Sequence, residues 1–466
     1  MAQIQELTLA EAIDSIGLGR FQRKLLAVAG VSWAADAMEV LLIGFLIPSI
    51  IVSLQITREQ AAWLVTALFV GMMLGAWFWG SLADRIGRKN VFVSTILIAS
   101  VFALASALAP NYETLLLFRL LSGFGIGGSL PVDYAITAEF LPSQQRGRWL
   151  VFLESFWALG TIIAAGLAWY FIPRYPVDGW RYVLALSALP GLVAFWIRRT
   201  IPESPRYLVT QGRTAEAEQV VWIVAAENGV ALPDGFRLVA PVATTATAQA
   251  RQPLAVIFQS PLLRSTLILS AVWFLLSLAY YGIFTWLPGI FVQRGFDFLR
   301  TYQNTFILAL AQLPGYFSAA WLVEKWGRKP TLAVYLGAAA VFTYAFAVAD
   351  NLPLILGAAI MMSFFALGAW GALYAYTPEV YPTTVRATGM GWASAMARVA
   401  GIVAPLLSVR LLGLSLPVAL SIYAVSFLLA ALVSLLGRET AGLALTDAVG
   451  EAAGSVTAAR PATLER

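Results

Sequence analysis

The chain contains no cysteine and no histidine among its 466 residues. Disulfides, thiolate chemistry and Cys/His zinc sites are therefore excluded, as is any serine nucleophile that relies on a histidine base. Charge is also scarce: only 12% of residues are charged, about half the share found in soluble domains. We expect no enzyme activity, no cofactor, no metal site and no nucleic-acid partner.

Apolar residues take the place of the missing charges, at 60% of the chain. Twelve membrane helices of about 20 residues need about 240 apolar residues, and the sequence supplies about 280 of them. Outer-membrane barrels are disfavoured because their strands alternate in polarity. The composition predicts an all-α polytopic protein of a lipid bilayer.

Long apolar runs predict twelve transmembrane helices. Six fall at 25–52, 60–82, 90–109, 113–138, 149–172 and 180–199, and six at 264–291, 302–323, 330–348, 353–376, 387–409 and 416–436. We expect two six-helix bundles, 25–199 and 264–436. Segment 1–24 is predicted to be an N-terminal cytoplasmic segment, 200–263 a cytoplasmic linker with short amphipathic helices, and 437–466 a disordered cytoplasmic tail.

Basic residues in the short loops predict the orientation. One side carries Arg20, Arg23, Lys24, Arg85, Arg88, Lys89, Arg146, Arg148, Lys325, Arg328, Lys329 and Arg386, whereas the other carries Arg58, Arg174, Arg294, Arg300 and Arg410. Cytoplasmic loops are enriched in Lys and Arg. Both termini and the linker are therefore expected in the cytoplasm.

The two halves repeat a charged loop. Asp84-Arg85-Ile86-Gly87-Arg88-Lys89 follows the second predicted helix, and Glu324-Lys325-Trp326-Gly327-Arg328-Lys329 follows the eighth, 240 residues later. The same offset relates Glu139 and Arg146 to Glu379 and Arg386. Such repeats predict two pseudo-symmetric bundles that rock about a site between them.

These loops resemble the signature of the major facilitator superfamily. Pro202-Glu203-Ser204-Pro205-Arg206 resembles its sugar-porter and organic-ion branch. Asp36-Ala37-Met38-Glu39, Glu139-Phe140-Leu141-Pro142 and Tyr376-Thr377-Pro378-Glu379-Val380-Tyr381-Pro382 resemble the synaptic-vesicle-protein-related and organic-anion transporters, which include bacterial niacin permeases. Only about seven residues fit between the first two helices, which differs from the long glycosylated loop of animal organic-ion transporters and favours a bacterial inner membrane.

The loop charges are predicted to form a cytoplasmic gate that holds this face closed and breaks as the bundles rock. Positive-inside topology alone would explain the cations but not Asp84 or Glu324. The predicted gate residues are Asp84, Arg85, Arg88, Glu139, Arg146, Glu154, Glu203, Arg206, Glu324, Arg328, Glu379 and Arg386.

Charges at membrane depth predict proton coupling, because each is costly unless paired or hydrated. Asp36 lies about 17 Å into the first predicted helix, and Arg119 about 9 Å from the outer end of the fourth. Arg119 is expected to pair with Glu39 or Asp36, and rupture of the pair would switch a carboxylate between proton acceptor and donor. A static structural pair is the alternative.

Asp133 is a further candidate on the fourth helix, about 21 Å from Arg119 along the axis. It is predicted to be a second proton stop, with Pro131 breaking the helix nearby. The alternative is a structural partner for a cytoplasmic arginine.

Arg398 is the deep cation of the second half, about 17 Å into the eleventh helix. The predicted seventh, eighth, ninth, eleventh and twelfth helices contain no acidic residue at similar depth. An anionic substrate would neutralise Arg398, and the run from Gly389 to Pro405 resembles organic-anion transporters, where the corresponding arginine is associated with anion selectivity. A hydrogen bond to backbone carbonyls near Pro405 is the alternative.

Aromatic residues near helix centres are candidates for stacking on a flat substrate. Together with two neutral amides that can donate or accept hydrogen bonds, they complete the predicted binding set: Trp157, Trp273, Tyr281, Phe364, Trp370, Asn304 and Gln312.

The sequence and the resemblance together predict a monomeric secondary transporter in an inner membrane. We expect proton-coupled import of a small aromatic or organic carboxylate, with niacin or nicotinamide as the specific expectation. A sugar or aliphatic metabolite symporter is the alternative, since the branches share the Pro-Glu-Ser-Pro-Arg motif. Facilitative transport and a non-transporting receptor on the same fold also stay open.

Overall fold

The structure, a computed structural model, describes residues 6–143, 145–190, 196, 200–233, 236–238, 254–382 and 385–441, apart from the side chains of residues 84, 130, 131, 147, 151 and 387. The described chain is almost entirely helical. Eleven of its helices are long and apolar enough to cross a membrane. The prediction of an all-α polytopic fold is confirmed.

The N-terminal bundle begins after a short amphipathic helix, α1 (Leu9–Ile16). Its helices that are long enough to cross a membrane are α2 (Arg20–Leu54), α3 (Arg58–Ile86), α4 (Arg88–Ala107), α5 (Tyr112–Glu139) and α6 (Arg146–Phe171), and α7 (Gly179–Ser187) follows them. The helix predicted at 180–199 corresponds to α7 in its first part, whereas residues 191–195 and 197–199 lie outside the described ranges.

The segment between the bundles contains two short helices, α8 (Pro205–Thr210) and α9 (Thr214–Asn228), and a 3-10 helix at Leu254–Phe258. Strand β1 (Glu6–Leu7) pairs in parallel with β2 (Arg237–Leu238). The end of α9 also holds the start of α2, because the Phe21 amide donates to Asn228 and Lys24 forms an ion pair with Glu227 at 2.6 Å. Residues 239–253 and the predicted tail from 442 onward lie outside the described part of the chain.

The C-terminal bundle comprises α10 (Leu263–Phe284), α11 (Leu287–Gln293), α12 (Phe298–Trp326), α13 (Arg328–Val348), α14 (Leu352–Val380), α15 (Arg386–Leu414) and α16 (Leu416–Leu435). The single helix predicted at 264–291 was wrong, because α10 ends at Phe284 and α11 begins at Leu287. Pro288 has no backbone N–H, so the Phe284 carbonyl loses the donor that a continuous helix would provide.

Glycines let α3 and α5 pack at backbone distance. A Cβ at Gly71 or Gly75 would collide with the backbone of α5, and one at Gly123 or Gly127 with the backbone of α3. Small residues of this kind drive helix association in membranes, where no hydrophobic force pulls helices together. The break expected at Pro131 does not occur: α5 is continuous, since packed neighbours stabilise membrane helices that contain proline.

Each bundle has one end that carries a repeated charged loop, at residues 84–89 and 324–329, and we call this the basic end. Contacts that join the bundles lie toward the opposite end. The Tyr302 hydroxyl donates to the Phe45 carbonyl at 2.8 Å, and Trp169 stacks on Phe306 at 5.3 Å between ring centroids. Gly44 lies directly against the Thr285 backbone. The bundles are therefore packed together at the end opposite the charged loops.

Candidate functional site

A central cavity lies between the two bundles, with about 600 Å³ of empty space that includes the part open to solvent. Helices α3 and α6 provide one wall, and α10, α12, α14 and α15 provide the other. Eleven lining residues are aromatic or apolar, namely Phe69, Met72, Trp157, Trp273, Tyr280, Tyr281, Tyr316, Leu367, Trp370, Tyr374 and Ala397. The other three are charged or carry a hydroxyl, namely Glu154, Ser394 and Arg398. A largely apolar cavity with a few convergent polar groups is typical of a small-molecule site.

Arg398 projects into this cavity from α15 and is buried, with 7% of the residue exposed. Its guanidinium donates to the Ser394 hydroxyl one turn earlier, and its Nε has no hydrogen-bond partner among the described residues. The electrostatic neighbours of Arg398 are Tyr281 and Tyr374 rather than a carboxylate. A buried guanidinium with free donors is suited to an anionic ligand.

Glu154 also lines the central cavity, which differs from its predicted place in the gate. It lies eight residues into α6, about 12 Å from the start of that helix, and this depth brings it level with the aromatic lining. Its Oε1 atom is buried without a hydrogen-bond partner in the described part of the chain. Tyr374 is within electrostatic range of both Glu154 and Arg398.

Four of the five predicted aromatic residues line the cavity, namely Trp157, Trp273, Tyr281 and Trp370. Trp273 and Trp370 meet edge to face at 5.4 Å between ring centroids.

Phe364 does not line the central cavity. Its ring packs against Tyr335 and Phe365. Gln312 is fully buried behind the lining, beside Tyr280, and both polar atoms of its amide lack hydrogen-bond partners among the described residues. Asn304 is buried in α12 and is not part of the lining either.

Helical spacing could have identified several lining residues that were not predicted. Tyr374 lies four residues after Trp370. Residues separated by four share one face of a helix. The same relation connects Ser394 to Arg398, and a spacing of seven connects Trp273 to Tyr280.

A second cavity, of about 280 Å³, lies inside the N-terminal bundle among α2, α4 and the segment that begins with α7. Asp36 and Glu39 line it together with Ser32, Ser100 and Ser187. These two carboxylates therefore do not line the central cavity.

Arg119 pairs with Glu39, one of the two partners that the sequence left open. Its guanidinium donates to the Glu39 carboxylate at 2.7 Å and to the Glu39 carbonyl at 3.1 Å, and Arg119 is fully buried. Asp36 instead accepts a hydrogen bond from Ser129 at 2.5 Å. The two neighbouring carboxylates thus have different partners, one cationic and one neutral.

Asp133 of α5 is a third buried carboxylate. Both of its carboxylate oxygens are buried without hydrogen-bond partners among the described residues. Asp36 and Glu154 are both within electrostatic range of it. Glu154, Asp133 and Asp36 therefore form a series of buried carboxylates that runs from the central cavity to the second one.

The predicted gate charges form one cluster in each bundle. Arg88 pairs with Glu139 at 2.9 Å, and Arg328 pairs with Glu379 at 2.9 Å. Each pair lies within its own bundle: the first joins α4 to α5, and the second joins α13 to α14.

The other predicted gate residues extend these clusters. The guanidinium of Arg146 donates to the Leu141 carbonyl and that of Arg386 to the Pro378 carbonyl. Arg206 lies within electrostatic range of Glu139. Glu203 caps α4, and Glu324 pairs with Arg328. Arg85 is exposed. The side chain of Asp84 lies outside the described part of the structure.

Comparison with known proteins agrees with this architecture. The model of a family described as "Sugar (and other) transporter" matches residues 36–448. The chain belongs to this family of the major facilitator superfamily. The resemblance stated from the loop motifs is confirmed, and the chain is a multi-pass membrane transporter rather than an enzyme.

Relatives in the family cover nearly the whole chain. The niacin transporter NiaP of Acinetobacter baylyi is 41% identical over 443 residues, which are 94% of this chain and 99% of that protein. The putative niacin/nicotinamide transporter NiaP of Bacillus subtilis is 40% identical over 422 residues, 90% of this chain and 96% of that protein. The xylose transporter XylE of E. coli, in a partially occluded inward-open conformation, shares the fold with a TM-score of 0.71 at 19% identity, over 91% of this chain and 100% of that one.

Proposed function

We propose that this protein imports a small aromatic carboxylate, with niacin as the specific substrate, by proton-coupled alternating access. The buried Arg398 in an aromatic cavity carries this proposal, because it offers a carboxylate two parallel hydrogen bonds. The rings of Trp157, Trp273 and Trp370 would enclose a flat ring. The two relatives named for niacin transport, at 40 and 41% identity, support the same substrate.

The buried carboxylates of the N-terminal bundle would couple this import to protons. Asp36 and Asp133 lie in a protein interior where an ionised carboxylate is costly, so each can take up a proton when the surrounding structure changes. Glu39 is held by Arg119, and we assign this pair the role of linking the movement of α2 to that of α5.

The basic end is proposed to face the cytoplasm of a bacterial cell, in the inner membrane, because basic loops remain on that side. With this orientation the packed end is the outer end, and the central cavity faces inward. The charged clusters of the two bundles would then meet across the cytoplasmic face when the transporter turns outward. We propose that the protein works as a monomer, since the site is built from one chain.

A sugar or aliphatic metabolite symporter is the second candidate, favoured by the description of the matching family. Arg398 argues against it, because a neutral sugar would leave a buried guanidinium unpaired, which is costly. A non-transporting receptor on this fold would bind a ligand without moving it.

Uptake of radiolabelled nicotinate into proteoliposomes, with and without an inward proton gradient, tests the proposal. We expect concentrative uptake that requires the gradient and is competed by unlabelled nicotinate but not by xylose. Uptake that only equilibrates would show facilitative transport, and binding without uptake would show a receptor. Competition by sugars but not by carboxylates would establish the second candidate.

A further inference from the structure

Glu154 and Arg398 face one cavity from opposite bundles. Glu154 belongs to α6 of the N-terminal bundle and Arg398 to α15 of the C-terminal bundle. Each has a buried polar atom without a hydrogen-bond partner among the described residues, Oε1 of Glu154 and Nε of Arg398. Tyr374 lines the same cavity and is within electrostatic range of both.

Such an arrangement fits a ligand with two different polar ends. Arg398 can only donate hydrogen bonds, so it selects an anionic end. Glu154 can accept a hydrogen bond when ionised and donate one when protonated. The aromatic residues between them select a flat ring that separates the two ends.

We infer that Glu154 binds the ring nitrogen of a pyridine carboxylate whose carboxylate is held by Arg398, and that one proton lies between Glu154 and that nitrogen. This inference rests on the proposed function, since it takes the substrate to be a small aromatic carboxylate. It assigns Glu154 to substrate recognition instead of the gate.

The chemistry of Glu154 and the ring nitrogen requires a proton between them. An ionised carboxylate and a pyridine nitrogen are both acceptors and repel each other. One proton taken up from the solution makes either the carboxyl or the ring nitrogen a donor, and no covalent bond forms between protein and ligand. The bound complex is then balanced, because the ligand carboxylate neutralises Arg398 and the shared proton neutralises Glu154.

The groups that face Glu154 come from four other helices. Trp33 of α2 lies beside it, and Asp133 and Tyr134 of α5 are within electrostatic range. Tyr316 of α12 and Tyr374 of α14 are within range from the other bundle. The ionisable groups among these neighbours are one carboxyl group and three phenols, and none of them is a cation.

Substrate and proton would share one site under this arrangement. A ring without the nitrogen would leave the carboxyl of Glu154 without its partner, so the site should prefer nicotinate to benzoate. The preference should fall as the pH rises and the shared proton is lost.

Three ligands and three variants test the inference on the full-length protein. Binding of nicotinate, benzoate and nicotinamide is measured by isothermal titration calorimetry in detergent or nanodiscs, between pH 5.5 and 8.5. The variants are Glu154→Ala, Glu154→Gln and Arg398→Ala, with the exposed Glu59→Gln as a matched control.

We expect Glu154→Ala to lower the affinity for nicotinate and for nicotinamide by about tenfold, which is what the loss of one hydrogen bond to a buried group costs. The affinity for benzoate should stay within about twofold of the wild-type value. Glu154→Gln should retain nicotinate binding, because its amide N–H donates to the ring nitrogen without an added proton. It should also make the preference for nicotinate over benzoate independent of pH. Arg398→Ala should weaken nicotinate and benzoate more than nicotinamide. Glu59→Gln should behave as wild type.

Equal losses for nicotinate and benzoate in Glu154→Ala, or an unchanged ratio of their affinities, would overturn the inference. A pH dependence of the ratio of nicotinate to benzoate affinity that persists in Glu154→Gln would also overturn it, because proton uptake by Asp36 and Asp133 affects both ligands alike. Failure of the proposed function looks different: the wild-type protein would bind neither carboxylate, or Arg398→Ala would change no affinity.

Discussion

Glu203 and Glu439 occupy equivalent positions in the two halves of the protein. Glu203 accepts hydrogen bonds from the backbone amides of Arg88 and Lys89 at the start of α4. Glu439 accepts from the amides of Arg328 and Lys329 at the start of α13, 240 residues after the first pair.

The residue that follows each of these glutamates extends the equivalence. Ser204 donates to Glu139, and Thr440 donates to Glu379 at 2.7 Å. Glu439 and Thr440 were not predicted to belong to the repeat, although the sequence shows Glu-Ser at 203–204 and Glu-Thr at 439–440. The structure therefore extends the predicted loop repeat to the segment after the last helix.

Loss of either cap should destabilise its bundle. Glu203→Ala and Glu439→Ala each remove an anion from a helix N-terminus and leave two amides without their acceptor, which costs about 1 kcal/mol. We expect each variant to lower the midpoint of thermal unfolding, measured in detergent by intrinsic fluorescence. The control is Glu113→Ala, a substitution of an exposed residue in the first turn of α5. It should change the unfolding midpoint little. A midpoint equal to that of the control would contradict the capping role.

Asp36 and Glu39 should respond differently to neutralisation. Glu39→Gln leaves the buried Arg119 without its counter-charge, so we expect a loss of stability of about 3 to 5 kcal/mol. The double variant Glu39→Gln/Arg119→Gln should recover part of this loss, because no buried charge then remains at the pair. Thermal unfolding of the three proteins measures the effect, and equal stability of wild type and Glu39→Gln would contradict it.

Asp36→Asn should fold and bind substrate but lose coupling. Its partner is the neutral Ser129, and an asparagine oxygen can still accept that hydrogen bond. We expect gradient-driven accumulation in proteoliposomes to be abolished while substrate exchange at equal pH continues. Normal accumulation by Asp36→Asn would remove Asp36 from the proton path.

Arg398 should control anion affinity. Arg398→Ala is expected to weaken carboxylate binding by about 2 to 5 kcal/mol, since the bound charge would lose its buried partner. Arg398→Lys should weaken it less but clearly, because an ammonium cannot form two parallel hydrogen bonds. Competition binding with labelled nicotinate measures both, and unchanged affinity in Arg398→Ala would place the anion site elsewhere.

A larger residue at Gly44 should shift the conformational equilibrium. A side chain there meets the Thr285 backbone across the bundle interface, and overpacking of this kind costs about 1 to 3 kcal/mol. In one state of the transporter the bundles are packed together at the end opposite the basic end. Gly44→Leu should therefore lower the population of that state by about tenfold or more. Gly337→Leu is the control, because Gly337 has open space beside it.

The absence of cysteine allows a clean measurement of this shift. A single cysteine in place of Ala397, which lines the central cavity, can be labelled by an impermeant maleimide from either side of a vesicle membrane. We expect labelling from the basic end to decrease and labelling from the opposite end to increase in Gly44→Leu. Identical labelling of Gly44→Leu and Gly337→Leu would show that this contact does not set the equilibrium.

Which residues line the central cavity depends on the direction in which each side chain points, and depth along a helix does not determine that direction. Phe364 and Tyr374 are both in α14, and Phe364 was predicted to line the site because it lies near the helix centre. At about 100° per residue, Phe364 points about 120° away from Trp370, whereas Tyr374 points about 40° away. Glu154 was misplaced for a related reason, because its distance from the basic loops did not show which surface of α6 it occupies.

The sequence by itself determined the membrane class, the twelve-helix plan, the repeat of the charged loops and the buried charges that need partners. These features follow from local composition and spacing, because a bilayer admits helices of one length and penalises every unpaired charge. Only the tertiary structure decided that Arg119 binds Glu39 rather than Asp36, and that Glu154 shares a cavity with Arg398. Asp36 and Glu39 are three residues apart on one helix, so the choice between them depends on how α2 and α5 are rotated and packed, which no single segment encodes.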